Sequence, residues 1–450
     1  MAHSGSASGG QLEEKVDLSA EVETRLLQAQ TLVDQGQLKE ALVLLAALEK
    51  KCRVGNDNPS LVKVCEAALQ YCKDVDDQEA LISTLQTLCT RRSQKTSAIK
   101  ALVQKALPWC IDGHAPIVTT TDEAKEARDN LVVALRTITD GKIFLEAERA
   151  FLTRAYATIK EESGDIVGAA DILQEVHVET YGSLSKKDKV EFILEQIRLT
   201  LGKKDYVRAH IVAGKISKKH LQEESMEDYK VRFFTLMGEY HRHEKDSLEL
   251  AKDYHAIYST PSILKDDSKW RDALQSAVLF AALSPYGMEQ QEMLNRINVD
   301  ANLDKLPAGQ ATIQLLLKKE IINYPLPHQA EMESWPAFSQ GELADHWKEM
   351  FHRRIIQHNV RVVSGYYKRI HGNRLAQLLG LSREQLEQEI SNMVSDGSVY
   401  AKMDRPKDII RFSQPHTPES ILTDWAADID KLLGLVETTT HLIQKENMTQ

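Results

Sequence analysis

Three side chains in this 450-residue chain carry the outline of metal chemistry: His241, His243 and Asp253, two imidazoles and a carboxylate of the kind a hydrolytic zinc requires. Their spacing argues against it. The stretch GEYHRHEKDSLELAKDYHAIY reads as helix, and imidazoles two residues apart on a helix diverge, so a solvated helical face is expected there and no metal ligand set. Other chemistry lacks its residues altogether. No G-x-x-x-x-G-K-[ST] phosphate loop, G-x-G-x-x-G turn, G-x-S-x-G elbow or H-E-x-x-H pair occurs. The sequence reads as non-enzymatic, with no catalytic, cofactor-binding or metal residue to assign and no cofactor implied. Cys52, Cys65, Cys72, Cys89 and Cys110 are odd in number, fall in the first quarter and form no C-x-x-C pair. Buried thiols in a reducing compartment are expected, rather than a disulfide or metal framework.

The remaining chemistry is that of surfaces, and its densest stretch is LAQLLGLSREQLEQEISNMVSDGSVYAKMDRPKDIIRF, Leu375 to Phe412. Leu375 to Leu379 make one short apolar turn, ended by Gly380 where a left-handed terminus is needed. Ser382 and Gln385 form a capping box that opens a second helix. Leu386, Ile390, Met393 and Val394 follow at the spacing of one buried face, with Glu384, Glu387 and Glu389 off it, and Gly397 ends the helix. Val399, Ala401 and Met403 alternate with Tyr400 and Lys402 as in a strand. After the turn Asp404 to Asp408, Ile409, Ile410 and Phe412 supply a returning strand. Two helices and a two-stranded wing make a winged helix.

Winged helices often read duplex DNA, but the second helix here has the wrong charge. Between Ser382 and Asp396, Arg383 faces Glu384, Glu387, Glu389 and Asp396, one cation against four carboxylates. The whole chain agrees, with 56 Lys plus Arg against 66 Asp plus Glu and a net charge of −10. Phosphate attraction dominates nucleic-acid affinity, so the wing is expected to meet protein.

The elements that hold this module are helical. Hydrophobic residues are 42% and charged residues 27% with 12 prolines, which suits a folded helical protein. No apolar run approaches the ~20 residues that span a bilayer, and MAHSGSASGGQ has neither part of a signal peptide, so an intracellular protein is expected. Residues 1–18 read as a flexible tail. Over 19–260 a small motif recurs: a turn residue, an apolar residue two places on, Ala five places on. It appears at Gly36, Leu38, Ala41; at Gly164, Ile166, Ala169; at Lys204, Tyr206, Ala209; at Asp246, Leu248, Ala251; and weakly at Val75, Asp77, Ala80. Steps of 40 and 42 residues separate 164, 204 and 246, the period of stacked antiparallel helix pairs, TPR-like, in which Ala permits close approach. The alternative is chance recurrence in an Ala-rich chain. From Pro261, prolines break the pattern into shorter helices over 261–345, with Tyr324 to Phe338 as a loop. A long helix from about Glu342 to Ile370 then leads into a winged helix over 346–415.

The final segment, 416–450, is the assembly candidate. Thr417 caps a helix with Pro418 at its first position. Leu422, Trp425, Ile429, Leu432, Val436, Thr439 and Ile443 then alternate steps of three and four, a heptad seam with one weak member. Such a helix needs a partner, either its own body or a bundle shared with other chains.

Helical repeats running into this winged helix resemble the PCI domain shared by the proteasome lid, the COP9 signalosome and a translation initiation factor complex. RRSQKTSAI, TDGKIFLEAERAFLTRAYATIKEESGDIVGAADILQEVHVETYGSL, KVEFILEQIRL and TTTHLIQKENM are similar to the subunit-five branch of the lid, from about Val22 to the end. One departure is Asp408, where the family wing usually has Gly. The resemblance implies a mainly α fold: a right-handed solenoid of antiparallel helix pairs, a winged helix and a long C-terminal helix. It also implies a cytoplasmic and nuclear scaffold whose partners are other lid PCI subunits, the lid isopeptidase subunit and the ATPase ring or core particle. A signalosome subunit-four scaffold and a nucleic-acid-binding PCI protein are the alternatives. The wing strands Val399 to Met403 and Ile409 to Phe412 are expected to offer edges for strand addition.

Overall fold

The computed structural model describes residues 18–113, 115–118, 121–339, 343–413 and 417–448. The expected tail lies outside these apart from Leu18. The chain divides into two compact units, up to Tyr240 and from His241.

In the first unit α1 (Ser19–Asp34), α2 (Leu38–Val54), α3 (Asn58–Asp74), α4 (Gln78–Thr90) and α5 (Thr96–Ala106) precede a small hairpin, β1 (Ile111–Asp112) with β2 (Ala115–Pro116). Then come α6 (Asp122–Thr139), α7 (Glu146–Glu162), α8 (Ile166–Gln174), α9 (Lys186–Gly202), α10 (Tyr206–Ala213) and α11 (Glu227–Glu244), whose last turn, from His241, belongs to the second unit. Neighbouring helices bury their apolar faces against one another, giving one core from Val22 to Ala155 and another from Ala150 to Met237. The solenoid expected from the repeat is present.

The repeat motif has a physical basis at the helix joints. Gly36, Gly164 and Lys204 all adopt left-handed backbone, with φ of 78°, 85° and 65°. The residue after each donates its N–H back to the preceding helix, as Gln37 to Leu32 O, Asp165 to Lys160 O and Asp205 to Thr200 O. Asp165 and Asp205 then cap the next helix through the side chain, accepting from Gly168 N at 2.8 Å and Arg208 N at 3.1 Å. One residue therefore closes one helix and opens another. Two copies are set in a different register from the one the sequence implies: the left-handed residues are Asp76 and Lys245, not Val75 and Asp246. A further joint at Asn56 and Asp57 has the same geometry, with Leu61 in place of the Ala. Ala41, Ala169, Ala209 and Ala251 are buried, whereas Ile166 is exposed, so close approach at Ala is the constant part.

The second unit continues with α12 (Ser247–Tyr258), α13 (Pro261–Leu264), α14 (Asp267–Leu283), α15 (Met288–Asn298), α16 (Pro307–Leu317), α17 (Gln329–Glu333), α18 (Pro336–Ser339) and α19 (Ala344–Tyr366). Pro261, Pro307 and Pro336 each start a helix, where the missing N–H costs nothing. The expected loop Tyr324 to Phe338 contains α17 and most of α18, held by buried Met332, Trp335 and Phe338. The long helix is shorter than expected. It ends at Tyr366, and Arg369–His371 forms strand β3, so Ile370 belongs to the sheet.

The winged helix follows as α20 (Gly372–Leu379), α21 (Arg383–Ser395), β4 (Lys402–Asp404) and β5 (Ile409–Arg411), and α22 (Pro418–Met448) ends the described chain. Among the described residues no helix is long and apolar enough to cross a membrane.

Candidate functional site

The winged helix is assembled by local caps and one small core. Gly380 is left-handed at φ 67°, Ser382 accepts from Gln385 N at 3.3 Å, and the Gln385 side chain accepts from Ser382 N, so the capping box is complete. Leu375, Leu386, Ile390, Met393, Val399, Ile410 and Phe412 pack with Val360 and Val363 of α19. Val394 does not join them. It is 39% exposed, because the face turns away by the eighth residue of the pattern.

The sheet has three strands in the order β3, β5, β4, both pairings antiparallel. This corrects the two-stranded wing. Ile410 pairs with Ile370 on one side and Met403 on the other, so β5 is central and Ile409, Ile410 and Phe412 offer no unpaired edge for strand addition. The free edges belong to β3 and β4. Of the expected strand Val399 to Met403, only Lys402 and Met403 lie in β4; Val399 is buried in the core and Tyr400 and Ala401 lead into the strand.

Asp408 holds the wing turn in the left-handed region, at φ 51°. Its carbonyl accepts from Gly372 N at 3.0 Å and its carboxylate from Asn373 N at 3.1 Å, which caps α20. Arg383 Nη2 reaches the same carboxylate at 2.8 Å across Gly372, where a Cβ would collide with the guanidinium. Arg383 also binds Glu387 at 3.1 Å, Arg405 binds Glu387 at 3.0 Å, and Arg353 of α19 binds Glu389 at 3.1 Å. Arg383, Arg405 and Arg353 are thus spent on the module's own carboxylates around α21, whereas Arg369, Arg411 and Lys402 stand exposed side by side across the sheet.

Helix α22 is the opposite kind of element. Thr417 and Ser420 cap it reciprocally, at 3.1 and 3.2 Å, and it then runs 31 residues without burying one. Leu422 is 62% exposed, Trp425 65% and Leu432 61%, with Ile429, Val436 and Ile443 similar. Ile421, Leu433, Leu435 and Leu442 widen the stripe. Of the two partners considered for this seam, the described residues of the chain's own body do not cover it.

The metal-like trio separates. His241 Nδ1 lies 2.6 Å from Asp253 Oδ2 and both are buried, which corrects the expected solvated face, while His243 points to solvent beside Glu244. Burial follows from the packing of the last turn of α11 on α12. Among the described residues no group of three or more His, Cys, Asp or Glu could hold a metal ion. The five cysteines are buried and unbridged.

A helical repeat array leading into a winged helix defines a PCI-type protein, and residues 328–414 match the PCI domain. Residues 40–266 match the family described as PSMD12/CSN4, N-terminal, and 419–450 the 26S proteasome regulatory subunit RPN5 C-terminal domain. The chain is 35% identical over 435 residues to the 26S proteasome non-ATPase regulatory subunit 12 of Dictyostelium discoideum, covering 96% of this chain and 95% of that one. It is 34% identical to the 26S proteasome regulatory subunit RPN5 of Saccharomyces cerevisiae, with 92% of each covered. Homolog A of subunit 12 from Arabidopsis thaliana is also 34% identical, over 92% of this chain and 98% of its own. The chain belongs to the family of 26S proteasome non-ATPase regulatory subunit 12, or RPN5.

Proposed function

We propose that this chain is a non-catalytic scaffold of the lid of the 26S proteasome regulatory particle, supporting ubiquitin-dependent protein degradation in cytoplasm and nucleus. Its partners are other lid PCI subunits and the lid isopeptidase subunit, with the ATPase ring or core particle beyond. The observation that carries this reading is α22, a capped helix that buries none of its apolar stripe and whose sequence matches the 26S proteasome regulatory subunit RPN5 C-terminal domain. Burying a Leu or Ile contributes about 1.5–3 kcal/mol, so a helical bundle that covers Leu422, Trp425, Ile429, Leu432, Val436 and Ile443 is a strong anchor. The strand edge at Lys402 and Met403 is a second contact.

A signalosome subunit-four scaffold is the other reading, since the N-terminal family includes both kinds. The RPN5-type terminus favours the lid. Affinity purification of the tagged chain tests this: co-purifying proteasomal ATPases support the lid, and signalosome subunits in their place would overturn it. The double variant Leu432→Asp, Val436→Asp should keep the far-UV CD and melting temperature of the free chain and lose the co-purifying subunits. A variant that unfolds alone contradicts an external partner for the seam.

A further inference from the structure

The second unit contains a cleft that neither α22 nor the wing edges use. It holds about 510 Å³ and is lined by Lys318, Lys319, His358, Arg361, Tyr286 and Tyr366 among others. A smaller cavity shares Tyr286, His358 and Arg361 and adds Arg354. Among the described residues no carboxylate lines either, although the chain as a whole carries ten more acidic than basic groups.

The guanidinium of Arg361 lies over the Tyr286 ring, 3.5 Å from its centre. That contact leaves the N–H fork for a second partner. Among the described residues Arg361, Lys318 and Lys319 form no ion pair. Burial pushes Arg361 down to about 10, so its charge is held at a cost that an anion would offset. Burial also holds His358 below the ordinary histidine value, and its Nε2 donates to the Glu320 carbonyl at 3.2 Å. The loop bearing the lysines is fixed on α19. Asn359 bonds both the N–H and the carbonyl of Ile322 at 2.8 Å, and Tyr366 donates to Lys319 O at 3.4 Å. The backbone that carries Lys319 is therefore held against the helix that carries Arg361. Leu316, Leu317 and Val362 give the lining an apolar part, which a bare phosphate would leave wet.

We propose that this cleft receives an acidic segment of a neighbouring polypeptide, whose Asp or Glu carboxylates pair with Arg361, Lys318 and Lys319 while an adjoining apolar side chain covers Leu316 and Val362. The inference rests on the scaffold reading and names one of its contacts. A water-soluble carbodiimide, which joins an amine to a carboxylate it touches, tests it on the affinity-purified assembly, with products read by mass spectrometry. Lys252 with Glu289, 2.5 Å apart, and Lys203 with Asp171, 2.6 Å apart, are the internal controls that must join. Lys318 or Lys319 should be found joined to a carboxylate of a different chain. Removing one partner of a buried charge pair costs enough that Arg361→Gln should lower that product by about tenfold or more. The exposed pair Lys318→Gln, Lys319→Gln, which leaves the fold untouched, should make the neighbour dissociate at lower salt. Controls that join while both lysines stay unlinked, or link only within this chain, overturn the proposal. So does inorganic pyrophosphate that raises the melting temperature of wild type and not of Arg361→Gln, when no inter-chain product forms. A chain that purifies alone overturns the scaffold reading itself, a result distinct from an assembly with unlinked lysines.

Discussion

Cys65 and Cys110 illustrate how burial alone sets the chemistry of a side chain. Desolvation is the leading cause that pushes both thiols up to about 12, and Cys52 and Cys89 to about 11, from an ordinary 9.0. Tyr71, Tyr181 and Tyr258 are raised for the same reason. The folded chain keeps protons that the unfolded chain loses, so this stability is fully present below pH 9 and falls as pH climbs towards 12. The urea midpoint should therefore drop between pH 9 and pH 11, and drop less in Cys65→Ala, Cys110→Ala; a flat midpoint in wild type contradicts the assignment. That these thiols are buried was readable from their number and spacing. The burial of His241 with Asp253 was not, because it depends on which face of α11 meets α12, and residue types two places apart do not carry that information.

Among the elements, the helix joints carry the most information per residue. Asp205 closes α9 and caps α10, so Asp205→Ala should cost about 1 kcal/mol and Asp205→Asn a few tenths, measured by chemical denaturation. Lys204 has the opposite sign. A side chain at φ 65° is strained, and Lys204→Gly should raise stability by up to about 1 kcal/mol. Both variants failing to move the midpoint would show that the joint is held by helix packing instead. Caps of this kind made the winged helix legible: Gly380, Ser382, Gln385 and Gly397 mark their own positions within a few residues. Strand β3 was missed since Arg-Ile-His is three residues long and its structure comes from pairing with β5, forty residues away in the chain. The joint at Asn56 was missed because Leu61 stands five places on, where the copies at Gly36, Gly164 and Lys204 carry the Ala that announces them.

Over the whole molecule, stability and assembly reside in different places. The body buries its apolar faces in continuous cores, while α22 buries nothing. Deleting residues 417–450 should leave the melting temperature of the free chain within about 2 °C of wild type, as expected when no core contact is lost, and abolish co-purification. A large fall in melting temperature would place the helix against its own body. The solenoid was legible from its repeat and the terminal helix from its cap and heptad seam, while the choice between the chain's own body and a shared bundle was not.

The bare stripe on α22 has a consequence for supply. A copy made in excess of its companions keeps a row of leucines and a tryptophan in water, and such rows adhere to whatever apolar surface is near. Matched production of this chain and its companions, or prompt removal of the surplus, is thus a physical requirement that the molecule imposes on the cell that makes it.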